Sequence, residues 1–185
     1  VPVERALNIA FRPSAAIQVG SDLWISDQFA GIRRVGTSGA QLIVANSPRS
    51  SSAFGLEATA ERLVVAAGGV SEDFAVTFNQ NGFYIQENSF WSNYNQFSNS
   101  VLTGVYDMID AYTDVVSGKI YLASFLSGLV EFDNGAIQVF DQNNSILEGA
   151  LDDPGRTKIS AVDGDANGTI YIANFGAQNP VAARL

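Results

Sequence analysis

Leu23-Trp24-Ile25-Ser26, Leu63-Val64-Val65-Ala66, Ile120-Tyr121-Leu122-Ala123 and Ile170-Tyr171-Ile172-Ala173 are four writings of one phrase, a short apolar run closed by a small residue. Their starts lie 40, 57 and 50 residues apart. Self-similarity at such a period marks an array of like units, here β units. Downstream of three of them a second phrase opens on glycine: Gly31-Ile32-Arg33-Arg34-Val35, Gly82-Phe83-Tyr84-Ile85-Gln86 and Gly128-Leu129-Val130-Glu131-Phe132. Gly36-Thr37-Ser38-Gly39, Glu87-Asn88-Ser89 and Asp133-Asn134-Gly135 follow as turns. Asn-Gly between apolar runs is a strong hairpin signal, because tight hairpin turns need positive φ. Beyond the turns stand Gln41-Leu42-Ile43-Val44, Phe90-Trp91-Ser92-Asn93-Tyr94 and Ala136-Ile137-Gln138-Val139-Phe140. Ahead of the first phrase lie further apolar stretches, such as Ala16-Ile17-Gln18-Val19 and Ile159-Ser160-Ala161-Val162.

Four short antiparallel strands in about 40–50 residues describe a β-propeller blade. The expected blades are 1–52, 53–100, 101–149 and 150–185, the last truncated soon after its second strand. A blade buries both faces against its neighbours, which accounts for inner strands that read as nearly continuous apolar runs. Propellers usually close with more than about four blades. The sequence therefore reads as all-β, an incomplete ring or a part of a larger propeller. Apolar blade faces left exposed in such a piece would favour homo-oligomers.

Composition narrows the function. The chain of 185 residues is 46% hydrophobic with 17 glycines, too apolar for disorder and too glycine-rich to be mainly helical. A net charge of −9 argues against nucleic acid, whose backbone demands clustered Lys and Arg. No stretch approaches the roughly 20 apolar residues of a membrane span, and the Val1 start carries no leader pattern. With no His and no Cys, the chain cannot supply a Ser-His-Asp or Cys-His nucleophile, or a thiolate or imidazole metal site. Carboxylate chemistry and oxygen-ligand metals remain.

Several clusters are candidates for a site. Asp163, Asp165 and Asn167, with Gly168 next, match the opening of a calcium loop. Asn174 stands where the closing bidentate Glu belongs, so a plain Asx/Gly turn is the competing reading. Asp107, Asp110 and Asp114 could serve as acid–base groups, but on a strand Asp107 and Asp110 face opposite ways. A glycosidase would need its carboxyls about 5–10 Å apart across a cleft. Asp152-Asp153-Pro154-Gly155 reads as a turn. Trp91 and Tyr94, with Phe90 and Phe97, either stack on a sugar or fill the gap between blades. Arg33 and Arg34 alternate sides of a strand, either solvated or in contact with an anionic surface glycan. In the second blade 19 residues separate the phrase starts where the first and third use 8. This insertion carries Gly68, Gly69, Glu72 and Asp73, and specificity tends to lie on such loops. It is the expected partner contact, with a disordered connection as the alternative.

The runs Asn81–Ile85, Phe90–Asn95, Tyr121–Phe125, Gly128–Gly135 and Ile159–Asn174, with Asn179-Pro180, resemble the propellers of PorZ-like proteins of the type IX (Por) secretion system. The blade phrases are also similar to those of two-component-regulator propellers. The resemblance implies a non-enzymatic scaffold exported to the periplasm or outer-membrane surface of a Gram-negative bacterium. Such a scaffold would bind protein partners of a secretion or attachment complex, or an anionic glycan, and would need no cofactor, with Ca²⁺ the one exception to test. The alternatives are the ligand-sensing propeller of a hybrid two-component regulator and a carboxylate-based polysaccharide lyase or glycosidase.

Overall fold

The computed structural model describes residues 12–27, 31–43 and 45–184. The chain divides into two units, Val1–Asn46 and Ser47–Leu185. In the first, β1 (Pro13–Val19), β2 (Asp22–Asp27), β3 (Gly31–Gly36) and β4 (Gly39–Ile43) form one antiparallel sheet in chain order. Val44, the expected last residue of β4, lies outside the described residues. On β3, Arg34 donates from Nε to Asp22 Oδ2 at 2.7 Å and lies 5.7 Å over the ring of Trp24, its register partner on β2. An exposed pair of this kind contributes little to stability.

The second unit holds three sheets. One is β5 (Gly55–Ala58), β6 (Arg62–Ala66), β7 (Phe83–Glu87) and β8 (Phe90–Tyr94), and the next is β9 (Met108–Thr113), β10 (Ile120–Ser124), β11 (Gly128–Asp133) and β12 (Ala136–Phe140). The last is β13 (Ile159–Gly164), β14 (Ile170–Asn174) and β15 (Val181–Arg184). The last sheet carries a third strand beyond the expected second one, and among the described residues it has three strands where the other sheets have four. Only Val181 of the four residues of β15 is a strong β-former, so local propensity is silent and pairing with β14 decides. Among the described residues the one helical element is a 3₁₀ turn at Ser100–Leu102, and no helix is long and apolar enough to cross a membrane.

Strand alternation explains how these sheets stack. On β10, Ile120 and Leu122 enter a core with Val64, Ala66 and Phe83 of the preceding sheet. Tyr121 and Ala123 enter a second core with Ile159, Val162 and Ile170 of the following sheet. All five residues of β10 are buried, each large aliphatic side chain contributing about 1.5–3 kcal/mol. The first core is filled by rings: Phe83 stacks on Tyr94 at 4.9 Å and Phe132 closes against Tyr94 at 4.8 Å.

The glycine opening the second phrase has two causes. Gly82 and Gly128 sit at φ +74° and +92°, and a Cβ there would lie 1.9 Å from the Tyr94 carbonyl oxygen and 2.0 Å from that of Phe140. Only glycine combines that backbone with that approach. Asn134 and Gly135 take φ +48° and +97°, as the hairpin signal predicts, and Asn88 and Ser89 make the equivalent turn at +50° and +66° without glycine.

One ion network ties the third sheet to the fourth. Buried Glu131 accepts from Lys119 Nζ at 3.0 Å and from Arg184 of β15 at 2.8 Å. Burial pushes the Glu131 carboxyl up, but the hydrogen bond from Lys119 and the charges of Arg184 and Lys119 outweigh it, so it titrates below its ordinary value. Burial and then the Glu131 charge push the neighbouring Tyr121 up to about 12.

Candidate functional site

The β6–β7, β10–β11 and β14–β15 loops meet the β8–β9 and β12–β13 connections at one end of the second unit. Backbone hydrogen bonds join them: Gly68 N–H to Met108 O at 2.7 Å, Phe125 N–H to Asp107 O at 2.9 Å, and Phe175 N–H to Lys158 O at 2.7 Å. Gly68 is required by this approach, since a Cβ would fall 2.2 Å from the Met108 nitrogen.

The insertion after β6 is an ordered hairpin. Val70 bridges Val76, Ser71 N–H donates to Ala75 O at 2.9 Å, and Phe74 N–H donates to Ser71 O at 3.0 Å. The left-handed residue that completes a turn of this length is ordinarily glycine. Here Phe74 holds it at φ +56°, and Phe78, four residues on, stands at +54°. Each such residue costs about 1–3 kcal/mol unless its surroundings impose it.

Asp107 imposes it. Its side chain is fully buried. Oδ2 accepts from the N–H groups of Thr77 and Phe78 at 2.9 and 3.0 Å. Oδ1 accepts from Thr77 Oγ1 at 2.6 Å and Asn79 N–H at 2.8 Å. Charge-assisted bonds of this kind are about twice as strong as neutral ones, and four of them define the path of 77–79. The structure therefore corrects the expectation that Asp107 lies on a strand. It precedes β9, at φ +51°, and braces a loop of the preceding sheet.

The braced hairpin presents aromatic rings. Phe74 and Phe78 are 61% and 59% exposed. Phe74 forms a T-shaped pair with buried Phe125 at 6.3 Å, and Phe125 in turn lies 5.2 Å from partly exposed Phe175. Phe78 stands on Tyr106 at 5.7 Å. The tip residues Glu72 and Asp73 are exposed, and neither enters a salt bridge with a described residue. Sequence reasoning located Gly68, Gly69, Glu72 and Asp73 on this insertion and singled out Asp107 as an acid–base candidate, but missed Phe74, Phe78 and the bracing role of Asp107. A bulky residue in a hairpin's glycine position was the available signal.

The other candidates fall elsewhere. Tyr94 is a core ring, and half-buried Trp91 packs beside Val65, Ala67 and Tyr84 on the opposite face of the sheet. Asp110 accepts from the Val162 N–H of β13 at 3.0 Å. Asp114 accepts from the Val116 and Ser117 N–H groups, both at 3.0 Å, and from the Ser117 hydroxyl. Burial alone would push Asp114 up, and these donors hold it below its ordinary value.

Asp165 heads the equivalent turn before β14. Its Oδ1 accepts from Asn167 and Thr169 N–H at 2.8 and 3.0 Å, which keeps it low. Asp163 Oδ1 accepts from Gly164 N–H at 2.8 Å. β14 carries Asn174 about 13 Å away, to the opposite end, where its side chain bonds the Glu148 backbone at 3.0 and 2.9 Å. Among the described residues no three His, Cys, Asp or Glu side chains gather as a metal-binding group. A polar cleft of about 250 Å³, lined by Thr103, Ser127, Asp141, Arg156 and Thr157 among others, opens at the hairpin end.

Four antiparallel sheets in chain order, those of the second unit stacked face to face, define an array of β-propeller blades. No protein-family model matches the chain, and no curated protein matches it in sequence. Among solved structures it is similar to PorZ, an essential bacterial surface component of the type-IX secretion system of Porphyromonas gingivalis. That likeness has a TM-score of 0.70 at 14% identity over 94% of this chain and 24% of that one. It is also similar to an extracellular domain ascribed to a hybrid two-component system of B. thetaiotaomicron, with a TM-score of 0.48, 14% identity, and coverage of 100% and 24%. An auxiliary nutrient binding protein of Bacteroides ovatus follows at a TM-score of 0.37 and 14% identity, covering 88% and 37%. The chain thus spans about a quarter of the PorZ length, and the likeness is one of fold.

Proposed function

We propose that this chain is part of an extracytoplasmic β-propeller that acts by binding, at the bacterial surface or in the periplasm, within an assembly that exports or attaches other proteins. The observation that carries this reading is the hairpin held on Asp107, which displays Phe74 and Phe78 in strained backbone at one end of the blades. Strain and exposed apolar surface concentrated in one place favour a recognition role. The fold likeness to PorZ supports the setting. The carboxylates point to architecture in place of catalysis, since Asp107, Asp110 and Asp114 accept from main-chain donors.

Deletion of the parent gene, complemented by wild type and by the double variant F74A/F78A, tests the proposal. Loss of exported or surface-attached proteins, restored by wild type and not by the double variant, is the expected outcome. Intact export with a lost transcriptional response to a polysaccharide would replace it with the sensor reading.

A further inference from the structure

Charge sets the chemistry of whatever meets the hairpin. Besides buried Asp107, the loops gathered at that end carry six acidic side chains and two basic ones, Arg156 and Lys158. Lys158 is already bound to Asp152 at 3.0 Å. At the hairpin tip Glu72 and Asp73 directly precede Phe74, without a cation of their own among the described residues. An anionic polymer brought to this surface would meet like charge. A cation would find carboxylates and, beside them, the faces of exposed rings, which attract positive charge through their quadrupole. The remaining area of Phe74, Phe78 and Phe175 asks for apolar contact.

We infer that this end takes a cationic, amphipathic protein segment, its Lys or Arg head groups set between Glu72, Asp73 and the Phe74 and Phe78 rings, and its apolar side chains laid along Phe74 and Phe175. The inference rests on the binding role proposed above and names the class of partner. The backbone supports it. The turn and the Asp107 anchor hold both phenylalanines outward before any partner arrives, so little ordering remains to be done on binding.

The test uses the 185-residue chain and two fluorescein-labelled hexapeptides, alternating Lys-Leu and alternating Glu-Leu, with dextran sulfate as an anionic polysaccharide. Fluorescence anisotropy is read at two salt concentrations. The Lys-Leu peptide is expected to bind, weaken with salt, and lose at least tenfold in affinity both in E72K/D73K and in F74A. Thermal melts of these exposed-site variants should match wild type, so a loss reports the site and not the fold. Equal binding of the Lys-Leu and Glu-Leu peptides, or Lys-Leu binding that ignores both variants, overturns the inference. Dextran sulfate binding that F74A abolishes also overturns it, yet leaves the binding role of this end standing. That role fails separately, in the gene-deletion test.

Discussion

β10 and β2 carry the same phrase and meet different fates. Ile120-Tyr121-Leu122-Ala123 is buried at every position, whereas Leu23 on β2 is exposed and all seven residues of its neighbour β1 are exposed, Ile17 at 64%. Both form antiparallel ladders, each with one register shift. A blade phrase therefore specifies a strand with two apolar faces, and neighbouring sheets supply the burial. Stability should follow the neighbours and not the phrase.

The sharpest way to break that comparison is one truncation in each sheet. Leu122→Ala should cost about 2–5 kcal/mol, because the cavity opens between two packed sheets. Ile17→Ala should stay within about 0.5 kcal/mol. The two tryptophans fall one in each unit, Trp24 and Trp91, so urea unfolding of W24F and W91F backgrounds reads each unit alone. Equal losses in the two sheets would show that the phrase itself carries the stability.

Glycines extend the contrast. Gly128→Ala meets both positive φ and the Phe140 carbonyl, so overpacking of about 1–3 kcal/mol adds to a conformational cost of about 1–2 kcal/mol. Gly39→Ala has φ +115° but nothing within 4 Å of the new Cβ, and only the conformational cost should appear. Thermal melts that place the two variants together would remove the role given to the close approach.

Asp107→Asn is next in size. An amide has one accepting oxygen where the carboxylate has two and a charge, so some of the four donors lose their partner at about 1–3 kcal/mol. Chymotrypsin should then cut after Phe74 or Phe78 in the variant while sparing wild type. Unchanged protection would mean that the hairpin stands without its brace.

The smallest effect is a pH dependence. The Glu131 carboxyl titrates below its ordinary value, so its ion pairs stabilise fully above the unfolded carboxylate range, near about pH 4.3, and fade as pH falls through the lower folded value. The stability gap between wild type and Glu131→Gln should accordingly narrow on acidification from about pH 6 toward pH 3. A gap that widens on acidification would reverse the sign assigned to the Lys119–Glu131–Arg184 network.

Much of the fold was legible because its signals are local. Gly82 and Gly128 mark a backbone that only glycine adopts at that approach, and Asn134-Gly135 makes the turn its dipeptide predicts. β15 was not legible, since Ala182 and Ala183 express no strand preference of their own. The site was half legible: excess length marked the insertion, but not its order. Asp107 lies 28 to 30 residues beyond the donors it collects, and nothing in that spacing announces them.

By itself the sequence determined the repeat, the hairpins, the all-β class and the exclusion of His and Cys chemistry, because periodicity, turn residues and composition act within a few residues of where they are written. Only the tertiary structure decided which faces are buried, that Tyr94 is core, and that the Phe78 segment is braced by a carboxylate from just before the next sheet. Those outcomes depend on contacts between sheets, and a contact is fixed by both partners together, so neither strand encodes it alone.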